Sequence, residues 1–252
     1  MIGEHFAVGT SPVHRLDPRL RVAAAAVFSC ICAVCNRFES LLLCLVIAAT
    51  LAVLARLEFR LVARRLLLVN GLILFLWAVL PWTTNGSAVL AIGPAVITQE
   101  GLLLSARITL KSNAILLVLI ALMATQPVGT LGHALNRLKV PDKLVHLLLI
   151  TYRYVFVLEQ EYLRLVRAAR VRCFTPKTRI HTYRTVAYLI GMLFVRAAAR
   201  AERVHQAMIC RGFSGRFYSL REFSFTGTDA AWAAGIGVAL LAAGWLEWMA
   251  GI

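Results

Sequence analysis

The sequence predicts an all-α polytopic membrane protein with about five transmembrane helices and a cytoplasmic helical domain built on two long amphipathic helices. Three observations lead to this class. The chain of 252 residues is 60% hydrophobic and 15% charged, whereas soluble globular chains average about 45–50% apolar and about 25% charged residues. Its apolar residues form five separate runs bounded by charges, Pro or Gly. Its 27 basic residues outnumber 12 acidic ones and are concentrated in one segment.

Five apolar runs supply the predicted spans, at residues 22–35, 41–55, 66–82, 101–124 and 230–251. A helix needs about 20 apolar residues to cross a bilayer. The first two runs hold only 14 and 15 residues, so they form either two tilted short spans or a shallow hairpin. In both cases the two ends of the pair emerge on the same side. We therefore divide the chain into an N-terminal segment (1–21), four spans (22–125), a cytoplasmic domain (126–229) and a last span (230–252).

Basic residues near span ends stay on the cytoplasmic side, and they fix the predicted orientation. Residues 15–21 carry three arginines and residues 56–65 carry four, whereas Arg37 is alone between the first two runs and the predicted loop at residues 83–100 carries none. The sequence therefore predicts a multi-pass membrane protein with a cytoplasmic N-terminus.

The segment 126–229 holds 17 of the 27 basic residues and six acidic ones. Apolar residues recur in it at helical spacing, which predicts one helix over 141–172 and a second over 181–210. Pro141 suits a first helical turn, Pro176 interrupts the pattern, and Gly212 suits a helix end. This segment therefore contains two long amphipathic helices, each ending in a turn rich in arginine.

Several chemistries are excluded by the sequence. It has no Gly-Lys dipeptide, and so no phosphate-binding loop of the G-x-x-x-x-G-K-[ST] type. It has no H-E-x-x-H or G-x-S-x-G motif and no convergent acid, base or nucleophile. Cys32 and Cys35 form a C-x-x-C pair, but the run is apolar and lacks further ligands, so packing is favoured over a metal role. We therefore predict no catalytic, cofactor or metal site. We also predict no nucleic-acid partner, because the sequence has no basic groove pattern interleaved with aromatic residues.

Arg107 and Lys111 lie one helical turn apart inside the fourth run. An ionisable residue within a span is a functional hypothesis by default. Two explanations are open: the side chains extend to the membrane surface, or they are buried in a contact with another subunit or in a polar cavity.

The ends of the two amphipathic helices match each other. Residues 168–174 read AARVRCF and residues 207–213 read AMICRGF. Counting back by four places Arg164, Ala168 and Arg172 on one face of the first helix, and Arg203, Ala207 and Arg211 on one face of the second. Because a guanidinium fork matches a carboxylate with two hydrogen bonds, two such turns suit two copies of an acidic groove.

These residues resemble the two Ala-Arg-Gly motifs of the T component of energy-coupling factor transporters, of the cobalt/nickel type (CbiQ- or NikQ-like). The resemblance extends to residues 11–19 (SPVHRLDPR), residues 181–185 (HTYRT) and residues 213–220 (FSGRFYSL), and it covers most of the chain. Val171 and Cys173 stand where the first motif has alanine and glycine, and Cys210 stands where the second has alanine.

The resemblance implies a non-catalytic scaffold whose two crossing coupling helices join a substrate-capturing membrane subunit to two cytoplasmic ATPases. The implied partners are two CbiO-like ATPases, which bind ATP and Mg, a CbiM-like capture subunit, a small CbiN-like membrane subunit and membrane lipid. Cobalt or nickel is the implied transported ion, and a bacterial or archaeal plasma membrane is the implied location. The implied ATPase-docking residues are Arg172, Arg211, Ala169, Cys173, Cys210 and Gly212, with Arg164, Arg167 and Arg203 as a supporting basic face.

A second class of function is open on the same residues. The chain could be a self-contained ion channel or secondary transporter that uses Arg107, Lys111 and the thiols of the first run. Uptake by this chain alone, without ATP, would distinguish this alternative from the coupling subunit.

Overall fold

A computed structural model of the protein describes residues 11, 13, 16–84, 88–92, 95–213 and 227–249. Two blocks that carry the resemblance are therefore described in part. Residues 12, 14 and 15 of the first block and residues 214–220 of the last lie outside the described residues.

The described residues form eight helices and two short strands. In chain order the elements are α1 (Pro18–Val34), α2 (Phe38–Leu54), α3 (Phe59–Thr83), β1 (Ala88–Ile92), β2 (Ala95–Thr98), α4 (Gln99–Leu122), α5 (Val128–Arg137), α6 (Asp142–Val171), α7 (Ile180–Cys210) and α8 (Gly227–Met249). The strands pair antiparallel, with Ile92 opposite Ala95. They lie in the segment that joins α3 to α4, and the helical class holds everywhere else in the described chain.

Three described helices are long and apolar enough to cross a membrane. They are α3, α4 and residues Gly227–Trp248 of α8. Helix α2 is apolar but has 17 residues, and α1 also has 17, fewer than the ~20 that fill a bilayer. The chain is therefore a multi-pass membrane protein, while the count of five spans stays a prediction.

The described residues fall into two compact units, one formed by residues 136–213 and the other by the residues before and after them. In the second unit α4 packs against α1, α2 and α3, and α8 packs against α1 and α2. Phe28, Leu41, Val118 and Leu122 are fully buried at its centre. This unit contains all three described helices that are both long and apolar enough to span a membrane.

Polar contacts join α3 to α4 within this unit. The side-chain amides of Asn70 and Asn113 each donate to the other's oxygen, at 3.2 and 3.1 Å, and Trp77 Nε1 donates to Thr109 Oγ1 at 2.9 Å. Lipid tails cannot form hydrogen bonds with these polar side chains, so bonds between the helices satisfy them instead. Near the end of α3, a Cβ on Gly101 would lie 2.6 Å from the Cα of Pro81, so only glycine allows the two helices to approach there.

Candidate docking site for partner subunits

Helix α6 ends in a turn that presents Arg172. Arg172 has φ −88° and ψ 27°, and Cys173 follows in the left-handed region with φ 62°. The backbone N–H of Phe174 donates to the carbonyl of Ala169 at 3.1 Å, and the N–H of Cys173 donates to the carbonyl of Arg170 at 3.0 Å. This pair of bonds is a Schellman motif, which satisfies the last carbonyls of a helix.

Helix α7 ends in the same way at Arg211. Arg211 has φ −90° and ψ 11°, and Gly212 has φ 79°. The N–H of Phe213 donates to the carbonyl of Met208 at 3.0 Å, and the N–H of Gly212 donates to the carbonyl of Ile209 at 2.9 Å. The two turns, residues 169–174 and 208–213, therefore match residue by residue in backbone conformation. We call them the first and second Arg turns.

Both Arg turns are open to a partner. Arg172, Cys173, Cys210, Arg211 and Gly212 are exposed and Ala169 is half-buried. In the described part of the chain neither guanidinium makes a hydrogen bond or ion pair. The five donors of each guanidinium remain available to an acidic surface.

The three arginines of the predicted supporting face are also exposed, but two of them have partners on their own helix. Arg164 lies 3.6 Å from a carboxylate oxygen of Glu161, and Arg167 donates to the carbonyl of Leu163 at 3.2 Å. Arg203 is exposed on α7. On α6, the supporting arginines are therefore engaged within the helix, whereas the guanidinium of the first Arg turn is available to a partner.

Cys173 occupies a backbone conformation that favours glycine. A side chain in the left-handed region costs roughly 1–2 kcal/mol, because Cβ crowds the following carbonyl oxygen. Despite this cost, the first turn keeps the same hydrogen bonds as the second, where Gly212 adopts the conformation without strain. The cysteine at position 173 therefore adopts the same turn geometry as the glycine at position 212.

This geometry predicts opposite effects for one substitution at two cysteines. Cys173→Gly should raise the free energy of unfolding by about 1 kcal/mol, since it removes left-handed strain. Cys210→Gly should lower it by about 0.3–0.5 kcal/mol, because Cys210 lies in the last helical turn of α7 and glycine is a poorer helix former than cysteine. Hydrogen exchange at the two turns and denaturation in detergent measure both effects. Equal destabilisation by the two substitutions would contradict the assigned conformation.

Glu161 joins α6 to α7. It is 9% exposed, and its carboxylate accepts a hydrogen bond from Arg196 Nη1 and lies 4.0 Å from Arg200 Nη2. The hydrogen bond from Arg196 holds the pKa of Glu161 below its ordinary value, against the opposite effect of burial. Sequence reasoning counted this residue only as one of six acids in its segment. Glu161 lies three residues after Leu158, at a position where the helical pattern expects an apolar residue. An acid on that buried face requires a cationic partner, and this was the signal that could have identified it.

An open cavity of about 610 Å³ lies between α6 and α7. Residues from the start of α6, such as Asp142 and His146, flank it opposite residues from the end of α7, such as His205 and Phe213. Leu158 and Arg200 also line it. The two helices are therefore antiparallel, and the second Arg turn lies beside the start of α6, away from the first.

Arg107 and Lys111 make different contacts in the structure. Lys111 Nζ donates to the carbonyl of Ala33 at 2.9 Å and to Asn36 Oδ1 at 3.0 Å. It therefore supplies a hydrogen-bond donor to a free carbonyl at the end of α1. The guanidinium of Arg107 lies 5.4 Å from the centre of the Phe38 ring, and its buried Nε has no hydrogen-bond partner in the described chain. The predicted contact with another subunit stays a prediction, with Arg107 the residue that has an unfilled donor.

The turn between α1 and α2 is also held by an acid that sequence patterns did not single out. Glu247 of α8 accepts the backbone N–H groups of Asn36 at 2.9 Å and Arg37 at 3.2 Å. Arg37 is the N-cap of α2, where backbone donors have no partner within the helix, and Asn36 precedes it. Across the described residues, no group of three or more His, Cys, Asp or Glu side chains is arranged to hold a metal ion.

The chain matches the CbiQ family, described as cobalt transport proteins, over residues 9–220. A cobalt transport protein CbiQ of Rhodobacter capsulatus is 34% identical over 144 residues, which cover 55% of this chain and 59% of that protein. An energy-coupling factor transporter transmembrane protein EcfT of Bacillus subtilis is 27% identical over 244 residues, or 92% of each chain. The resemblance indicated by the Arg turns is thereby confirmed, and the chain belongs to the CbiQ family of cobalt transport proteins.

Proposed function

We propose that this chain is the transmembrane coupling (T) subunit of an ATP-driven energy-coupling factor transporter for cobalt or nickel ions. In this role it links a CbiM-like capture subunit, with a CbiN-like small subunit, to two cytoplasmic CbiO-like ATPases. The observation that carries the proposal is the pair of matching Arg turns. Each turn presents an exposed guanidinium on a backbone of the same conformation, which suits two copies of one acidic groove.

The position of the turns supports binding of two ATPases at once. The second Arg turn lies beside the start of α6, and α6 has 30 residues, or about 45 Å at ~1.5 Å per residue. The two guanidiniums are therefore separated by a distance comparable with the length of α6. One small partner cannot fill both turns, whereas two copies of a partner can each take one.

Uncovered apolar side chains on the two helices support a further membrane partner. No residue of α7, all of which is described, is buried, and its exposed apolar side chains include Tyr188, Met192, Phe194 and Val195. Large exposed apolar surfaces mark protein or membrane contacts. In the proposed complex the capture subunit and lipid cover this surface, and the chain is oriented with its N-terminus and residues 126–229 in the cytoplasm.

The proposed mechanism transmits motion and involves no chemistry on this chain. ATP and Mg are bound by the partner subunits, and cobalt or nickel is the cargo. Closure of the ATPase pair moves the two Arg turns, and α6 and α7 carry that movement to the capture subunit.

Reconstitution in liposomes tests the proposal. The chain with its cognate ATPases and capture subunit should take up radiolabelled Co²⁺ or Ni²⁺ only when ATP is present on the ATPase side. An ATPase variant that binds but does not hydrolyse ATP should abolish uptake. Uptake by this chain alone without ATP would instead favour the channel or secondary transporter.

A further inference from the structure

The contact between α6 and α7 depends on charge more than on side-chain interdigitation. Only Val145, Glu161 and Leu165 are buried on α6, and no residue is buried on α7, both helices being described throughout. Ion pairs between the two helices join Glu161 to Arg196 and Arg200. Interdigitated ridges and grooves restrict two helices to a few crossing angles, and this pair has little of that restriction.

The carboxylate of Glu161 is held by two successive turns of α7. One oxygen accepts from Arg196, and the other lies 4.0 Å from Arg200, four residues later. Coulomb attraction falls only as the inverse of distance, so these contacts tolerate small changes in angle between the helices. They resist separation and sliding, because either movement removes a cation from a buried acid.

Helical arms extend from this point toward each Arg turn. Arg172 lies 11 residues after Glu161 and Arg211 lies 15 residues after Arg196, which correspond to about 16 and 22 Å along the helix axes. The cavity between the helices lies on one side of Glu161, toward the start of α6 and the end of α7. A change in crossing angle at Glu161 therefore moves the second Arg turn relative to the start of α6.

We propose that Glu161, through Arg196 and Arg200, is the pivot about which α6 and α7 change their crossing angle during transport. Glu161 is thus a positioning residue, since it acts through the helices and touches no substrate. The inference rests on the proposed function, because the ATPases must move the two Arg turns. The low pKa of Glu161, which follows from the Arg196 hydrogen bond, keeps the pivot ionised at neutral pH.

A charge swap in the complete transporter tests the pivot. Three variants are compared in liposomes: Glu161→Arg, Arg196→Glu, and both together. Co-purification of the ATPases, ATP hydrolysis and Co²⁺ uptake are measured for each. Each single reversal should lower uptake per ATP hydrolysed by about tenfold while the ATPases still co-purify, since like charges then face each other at a buried position. The double swap should restore the ratio to within about threefold, because it re-forms the pair.

Glu202→Arg is the matched control, since Glu202 is an exposed acid of α7 whose carboxylate contacts Gln206, at 3.4 Å, and no cation among the described residues. It makes the same change of charge and should leave uptake per ATP unchanged. Glu161→Gln covers the case in which a reversal prevents assembly, because it keeps the shape and one acceptor while removing the charge. It should lower the ratio by severalfold.

Unchanged uptake per ATP in Glu161→Gln or in the single reversals would overturn the pivot. A double swap that couples as poorly as the single reversals would also overturn it. These outcomes differ from failure of the proposed function, in which the wild-type chain itself shows no ATP-dependent uptake or does not retain ATPases.

Discussion

Replacement of both Arg172 and Arg211 by Glu is expected to abolish co-purification of the ATPase subunits and ATP-dependent metal uptake, with membrane insertion unchanged. Removing one member of a buried interfacial charge pair typically costs about 2–5 kcal/mol, and reversal adds repulsion from the acidic groove. Both side chains are exposed and make no ion pair within the described chain, so the substitutions break no such contact in the fold.

Reversal of only one of the two arginines should have a smaller effect. Two linked contacts reinforce each other through a high effective concentration, so Arg172→Glu or Arg211→Glu alone should leave a weakened complex that is lost at increased salt. Arg153→Glu is the control, because Arg153 is exposed in the middle of α6 and carries the same change of charge. Retention of both ATPases by the double variant in affinity purification, at the level of this control, would show that the Arg turns do not dock them.

The two long helices were predictable because their ends have local causes. The predicted bounds of 141–172 and 181–210 agree within about a residue with α6 and α7 (boundaries commonly differ by about 1–2 residues between assignments). Pro141 and Gly212 act within one turn of their own positions, so their effect is visible in a single sequence. The repeated arginines predicted two acidic partner surfaces, and the resemblance implied that these belong to ATPases; no contact within the chain could have indicated the proposed docking role.

Contacts between distant residues were not predictable in the same way. Lys111, Glu247 and the turn at Asn36 come together only when α1, α2, α4 and α8 pack. Helical periodicity shows that a residue lies on a face, but it does not identify the facing helix. Glu161 was overlooked for this reason, since its partners lie 35 and 39 residues later. The strands β1 and β2 were missed because residues 83–100, which have no basic residue, were expected to form a loop.

Arg21 has a structural role in addition to the one that the distribution of basic residues predicts. In the sequence it is one of three arginines that orient the N-terminus. In the structure it is 3% exposed, its Nε donates to the carbonyl of Leu122 at 3.2 Å, and its Nη2 donates to Thr125 Oγ1. Leu122 is the last residue of α4, and its carbonyl has no partner within the helix. A cation at this position also stabilises the negative end of the helix.

Arg21→Ala is therefore expected to lower the free energy of unfolding by about 2–4 kcal/mol. The buried Leu122 carbonyl keeps only the longer contact from Thr125 Oγ1, at 3.5 Å, and a cavity opens between α1 and α4. Arg21→Lys should recover part of this loss, since an ammonium can reach one of the two acceptors. Thermal unfolding of the purified protein in detergent measures both effects.

The matched control for this substitution is Arg60→Ala, an exposed arginine in the first turn of α3. It removes one basic residue from the same predicted side of the membrane, and its effect should be within about 0.5 kcal/mol of zero. If Arg21 served only to orient the chain, the two alanine variants would unfold at the same temperature. A clear difference between them, with the topology of both unchanged, requires that Arg21 also fastens the start of α1 to the end of α4.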